Sequence, residues 1–212
     1  MAFSHSCFIS YCHGEGELIR PFIEQLRTAL DSCLEPYLDE KVFLDADRMR
    51  PGYRFNESLG RALCESVAMI MVYVPKYETH DYCMREFSAM ERIELHRRAL
   101  LGPQAHGMGL IIPVVLRGRT EDLPEWIRQH RHFCDFSRFT TASRSIRSNA
   151  EYARKVDEIA FYVFELYRLF QSAHVDPCSD CRSFQLPRFD TLERARISHR
   201  ESSARFPFRA AY

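Results

Sequence analysis

No sign of charge dominates this chain of 212 residues: lysine plus arginine and aspartate plus glutamate each number 29. A chain so balanced has no overall attraction to nucleic acid or to an acidic membrane, and neither is expected as a partner. Long apolar runs are missing too. The longest, Val67 to Val74, is far too short to cross a bilayer. The amino-terminal stretch MAFSHSCFISYC lacks the basic and long apolar segments of a signal peptide, which predicts a cytoplasmic protein. There is no internal repeat and no low-complexity tract. The glycine patterns that cradle nucleotide phosphates, GxGxxG and GxxxxGKS/T, are absent, and His13, Gly14 and Gly16 make a turn or at most a weak anion-binding loop.

What is present is a globular profile, 46% apolar and 27% charged, with length for one ordinary domain plus an appendage. Eight cysteines, at 7, 12, 33, 64, 83, 134, 178 and 181, lie mostly inside apolar segments. In a cytoplasmic chain they read as buried free thiols, not as a disulfide framework.

Apolar and β-prone runs alternate with segments of helical period. Cys7 to Tyr11, Lys41 to Leu44, Val67 to Val74, Leu110 to Leu116 and His132 to Phe136 are predicted strands. Between and after them, Leu18 to Leu34, Phe55 to Ser66, a stretch from Asp81 and Ala150 to Phe170 have helical spacing, with a helical turn at Leu123 to Ile127. The alternation predicts a doubly wound α/β fold with a five-stranded parallel sheet. Pro113 removes one ladder donor, so its strand is expected at a sheet edge. From Gln171 the pattern stops, and 171–212 are read as an irregular or partner-binding extension of a domain at 1–170.

One acid stands out. In a helix from Asp81 at about 100° per residue, Tyr82, Cys83, Ala89, Met90 and Ile93 fall within roughly 60° of Glu86. Arg85, Ser88, Glu91 and Arg92 take the other, solvent side. An ionised carboxylate on a packing face must be paired or shift its pKa, so Glu86 needs a reason. It also follows the third strand, and sheets of this class bind ligands beyond the carboxyl ends of their strands.

CFISY at Cys7 to Tyr11, VFLDADRMRPG at Val42 to Gly52, and the run from VAMIMVYVPKY to YCMRE ending at Glu86 resemble, in order and spacing, three signature boxes of the TIR (Toll/interleukin-1 receptor) domain in its bacterial form. The resemblance covers about residues 5 to 170. It implies a flavodoxin-like sheet and, in enzymatic members, cleavage of NAD+ at the nicotinamide–ribose bond. It makes Glu86 the catalytic glutamate, with Tyr82 where the family's WxxxE-like segment has tryptophan. NAD+ is then substrate, and no resident cofactor or metal is expected.

One carboxylate suits that chemistry. Glycosidases usually need two, one to protonate the leaving oxygen. Nicotinamide is already a cationic leaving group, so a lone Glu86 can hold the ribose hydroxyls and stabilise positive charge on the ribose. Water then gives ADP-ribose, and attack by the adenine of the same molecule gives a cyclic product. Ser10 and Tyr11 are candidates to border the substrate, or else strand-end packing. Asp45, Asp47 and Arg48 are candidates for ligand contact or a solvated loop, and Tyr77 for a ligand wall or a core wall.

Cys83 reads as core, with no base nearby to activate it. In the extension, Cys178 and Cys181 with His174 and His199 are weak support for zinc and read as free thiols. The resemblance also implies self-association through TIR–TIR contacts and, by likeness to the Thoeris systems, an anti-phage signal read by a downstream effector. NAD+ depletion and a secreted effector role stay open. The alternative is a non-catalytic TIR adaptor assembling through the loop around Pro51 and Gly52. A receiver domain is disfavoured, because Val74 and Pro75 stand where its acceptor aspartate would be.

Overall fold

Two runs form the central strands, β1 (His5–Tyr11), which mixes apolar residues with His5, Ser6 and Ser10, and the almost wholly apolar β3 (Ser66–Tyr73), and every residue of both is buried. Such runs suit strands covered on both faces. The computed structural model describes residues 3–13, 19–44, 55–118, 123–129, 131–139 and 146–188. Asp45, Asp47 and Arg48, with Gly14, Gly16, Pro51, Gly52 and His199, lie outside the described residues. Short β2 (Phe43–Leu44), β4 (Ile111–Val115) and β5 (Cys134–Asp135) complete a five-stranded parallel sheet in the order β2-β1-β3-β4-β5. That is the flavodoxin-like order, with its switch point between β1 and β3. The expected fold class is therefore the observed one.

The expected edge position of the Pro113 strand is not. β4 lies between β3 and β5. Leu110 O accepts from Met69 of β3, while Val115 O accepts from Phe136 beyond β5. Alternate residues face opposite neighbours, so Pro113 turns its nitrogen toward β5. Pairing with β5 involves only Val114 and Val115, and the missing amide falls before it begins.

Helices α1 (Ile19–Leu34) and α5 (Ala150–Ser172) pack on each other, as do α2 (Phe55–Cys64) and α3 (Asp81–Leu101); a short α4 (Glu125–Arg128) precedes β5. Asn149 caps α5 by accepting from the amides of Glu151 and Tyr152 at 2.9 and 3.1 Å, which satisfies two orphan donors of its first turn. Among the described residues no helix is long and apolar enough to cross a membrane.

Of the residues expected on the solvent side of α3, Glu91 and Arg92 are exposed and Ser88 is half-buried, but Arg85 is not on a free face. Arg85, Glu94 and Arg97 are all buried. Glu94 pairs with Arg131 at 2.9 Å and accepts from the Leu110 amide at 2.6 Å. Arg97, 0% exposed, lies over the rings of Phe3 and Phe170 and donates to the carbonyls of Cys64, Ser66 (2.8 Å) and Pro177 (3.3 Å). Burial lowers its pKa to about 10, which still leaves it charged at neutral pH.

Residues 173–188 cover that side. Arg85 Nε donates to Pro187 O at 2.6 Å, and a Cβ on Gly60 of α2 would stand 3.0 Å from Phe184 O. Glycine is needed there because another backbone lies directly on the helix. The reading of all eight cysteines as free thiols is overturned in the same place, since Cys181 is disulfide-bonded to Cys64 across a separation of 117 residues. The two are far apart in sequence, and only the path of the extension over α2 brings them together. Cys181→Ser, or reduction of the natural chain, is expected to lower stability by about 2–4 kcal/mol. Urea midpoints with and without reductant measure it, and the variant should lose its response to reductant.

Candidate active site

Ser10 and Tyr11 end β1, and after β3 the chain makes a short 3-10 turn, Pro75–Thr79, before α3 begins at Asp81. Proline at the first position of that turn loses no needed amide, and the turn drops Tyr77 into the core. Both segments arrive at the β1/β3 switch point. Glu86, one turn into α3 and only 6% exposed, meets them there.

Its carboxylate has a specific partner. Ser10 Oγ donates to Glu86 Oε2 at 2.5 Å, and Tyr77 Oη lies 2.7 Å from the same Ser10 Oγ. A serine hydroxyl has one proton, here given to Glu86, so Tyr77 is the donor in the second bond. The result is a relay, Tyr77 to Ser10 to Glu86. Burial above all, then the neighbouring Cys83 and Glu86, raises the Tyr77 pKa well above its ordinary value. Tyr77 therefore stays a neutral donor.

A second cluster adjoins the first. Cys12, just past β1, has its Sγ 3.7 Å from Cys83 Sγ, and Cys83 Sγ is 3.3 Å from His80 Nδ1. The thiols share their protons unevenly. The hydrogen bond between them lowers the Cys12 pKa and raises that of Cys83, which burial and Glu86 raise further. The expectation that Cys83 has no base nearby is thus corrected: an imidazole touches it. It is still 1% exposed, as a core residue would be.

Of the residues expected at the site, Ser10, Tyr77 and Glu86 come together. Tyr77 is wholly buried and so forms a wall of the core, the second of its two readings. Tyr11 is buried with its ring 4.4 Å from that of His13. Tyr82 is 38% exposed, and the Arg85 guanidinium lies 5.2 Å above its ring. Cys12 and His80 are what the sequence reading missed. His80 left one visible signal, its three-residue spacing from Cys83 at the start of α3, and Cys12 left none.

The arrangement provides one carboxylate, oriented by a hydroxyl that a second hydroxyl orients in turn, at the place where this sheet class receives ligands. A cavity of about 680 Å³ against Glu94, Met108, Ile112, Arg131 and Tyr162 shares no residue with it. Segments 14–18 and 45–54, which adjoin the ends of β1 and β2, lie outside the described residues.

A family model described as TIR domain matches residues 7–148. A protein from Brachypodium distachyon, named as the probable 2' cyclic ADP-D-ribose synthase BdTIR, is 38% identical over 48 residues, which are 23% of this chain and 21% of that protein. The chain therefore matches about a fifth of the length of that curated relative. Among solved structures, the TIR domain of the Toll-related receptor TRR-2 from the lower metazoan Hydra magnipapillata is 19% identical with a TM-score of 0.42, over 81% of this chain and 99% of that one.

Proposed function

Because the chain belongs to the TIR domain family, we propose that it cleaves NAD+ at the nicotinamide–ribose bond, with Glu86 as the catalytic carboxylate. The observation that carries this reading is the bond from Ser10 to Glu86, which fixes a buried acid at the β1/β3 switch point. The relay holds the acid at the strand end, where this sheet class receives ligands.

The chemistry follows from charge. In the bound complex Glu86 accepts hydrogen bonds from the hydroxyls of the nicotinamide ribose. As the glycosidic bond breaks, its electron pair leaves with nicotinamide, which departs neutral. The ribose becomes oxocarbenium-like, and the negative carboxylate stabilises it more than it stabilised the ground state. Water captures this centre to give ADP-ribose, or a nucleophile of the same molecule closes a ring. The name of the Brachypodium relative supports the cyclic class as a product to look for. Tyr82, Tyr11, Asp45, Asp47 and Arg48 are proposed to border the nucleotide; Ser10 and Tyr77 act through Glu86 as positioning residues.

At 6% exposure Glu86 is sheltered in the isolated chain, which fits an enzyme that turns over when copies self-associate through TIR–TIR contacts. A cytoplasmic setting, and a signal made for a downstream effector in anti-phage defence, are the biological role we assign on the likeness of its motifs to the Thoeris proteins. Incubating the purified chain with NAD+, dilute and under crowding that promotes assembly, and resolving the products by mass spectrometry, tests the enzyme reading. Nicotinamide with ADP-ribose or its cyclic isomer supports it. Intact NAD+ under both conditions overturns it in favour of a non-catalytic adaptor.

Tyr77→Phe removes one neutral hydrogen bond of about 1 kcal/mol, so kcat should fall about fivefold. KM should hold, because the tyrosine orients Glu86 without touching substrate. Steady-state kinetics on the variant separates the two parameters.

A further inference from the structure

We propose that Cys12, His80 and Cys83 form a Cys2His site for a zinc-like divalent cation at the junction of β1 and α3, beside Glu86. The three donors come from two segments far apart in sequence: Cys12 follows the last residue of β1, while His80 and Cys83 bracket the first turn of α3. Their ligand atoms all lie within 4.8 Å of one another. Sγ of Cys12 lies 3.7 Å from Sγ of Cys83, which lies 3.3 Å from Nδ1 of His80.

Those two lengths are close to the edges of a zinc tetrahedron. With Zn–S of about 2.3 Å and Zn–N of about 2.0–2.1 Å, tetrahedral angles put two sulfurs about 3.75 Å apart and sulfur and nitrogen about 3.5 Å apart. The third edge, from Cys12 Sγ to the imidazole, is no longer than 4.8 Å, and a cation would be taken by drawing it in. Two thiols and an imidazole are borderline-soft donors, which select zinc over magnesium or calcium. Three protein ligands leave the fourth position for water or another donor, the pattern of open and not of closed structural sites.

Burial supports the same conclusion. Cys12 and Cys83 are buried, so the cation would be held out of bulk water, while half-buried His80 provides a way in. Binding releases the thiol protons and ties the end of β1 to the start of α3, the two segments whose contact also holds Glu86 against Ser10. The inference does not depend on turnover of NAD+. Metal binding and catalysis can each fail without the other.

The test uses the full chain, reduced with a phosphine so that every thiol is free, titrated with Co2+ alone and then with Zn2+. One equivalent of Co2+ should give a thiolate-to-metal charge-transfer band and tetrahedral ligand-field bands, both lost as Zn2+ displaces it. Saturating Zn2+, at a hundredfold excess over Kd, should raise Tm by at least about 5 °C. Cys12→Ser, Cys83→Ser and His80→Gln should each weaken binding, the serine variants by at least about 100-fold. The Cys178→Ser, Cys181→Ser double variant should bind as the natural chain does. Undiminished binding in the Cys12 and Cys83 variants, loss of binding in the double variant, or no thiolate band at all overturns the proposal. Should a serine variant fail to fold, alkylation of the natural chain with and without Zn2+ decides: protection of both Cys12 and Cys83 supports the site, and equal labelling overturns it.

Discussion

Glu86→Gln should lower kcat for nicotinamide release by at least about 100-fold, the usual cost of removing a group that stabilises transition-state charge. Glutamine has nearly the same shape and can still accept from Ser10 through its carbonyl oxygen, so the local packing has no reason to collapse. What it loses is negative charge opposite the ribose. KM should change little, since the amide can still bond the ribose hydroxyls. The unfolding midpoint separates the two possible causes of inactivity. A variant that folds like the parent and releases nicotinamide at the parental rate would end the assignment of Glu86.

The largest effect on stability is expected at Arg97. Arg97→Leu keeps much of the volume but leaves the carbonyls of Cys64, Ser66 and Pro177 without this donor in a dry interior. Each buried acceptor left unmet costs about 1–3 kcal/mol, offset in part because a guanidinium no longer has to be desolvated. A net loss of about 3–5 kcal/mol follows, readable as a fall in the urea midpoint at constant m. Arg97→Lys should recover only part of it. An ammonium on a flexible stem does not reproduce a planar fork that reaches three backbone oxygens from two chain segments.

Local period made the sheet class and the site helix legible. The run at Cys7 read as a buried strand and that at Val67 as a doubly covered one, and the stripe around Glu86 put an acid where apolar residues belong. Misreadings arose wherever the answer depends on what lies across a gap in sequence. Pro113 looked like an edge residue because the side a strand amide faces depends on register with two neighbours. Arg85 was assigned to solvent because period identifies the second face of a helix without knowing what covers it. The covering segment, 173–188, has no period of its own. Cys64 and Cys181 could not be paired in advance for the same reason, as spacing alone does not determine connectivity. Ser10 and Glu86 were each candidates, but their bond required β1 and α3 to be neighbours. Cys12 and His80 had no such advance notice.

The bond from Cys64 to Cys181 also determines how the molecule bears load. Tension between β1 and the chain beyond residue 182 passes from the end of α2 straight across the sulfurs. β4, β5, α3 and α5 all sit inside the loop that this covalent path bypasses. Once the bond is reduced, the same pull peels the extension from Gly60 and Arg85 and then works on α5. Loss of that one bond frees about 400 Å of contour, at 3.3–3.6 Å for each of the 117 residues of separation. The oxidised chain is mechanically a short protein, and the reduced chain a long one whose α3 and α5 lie on the path of the force.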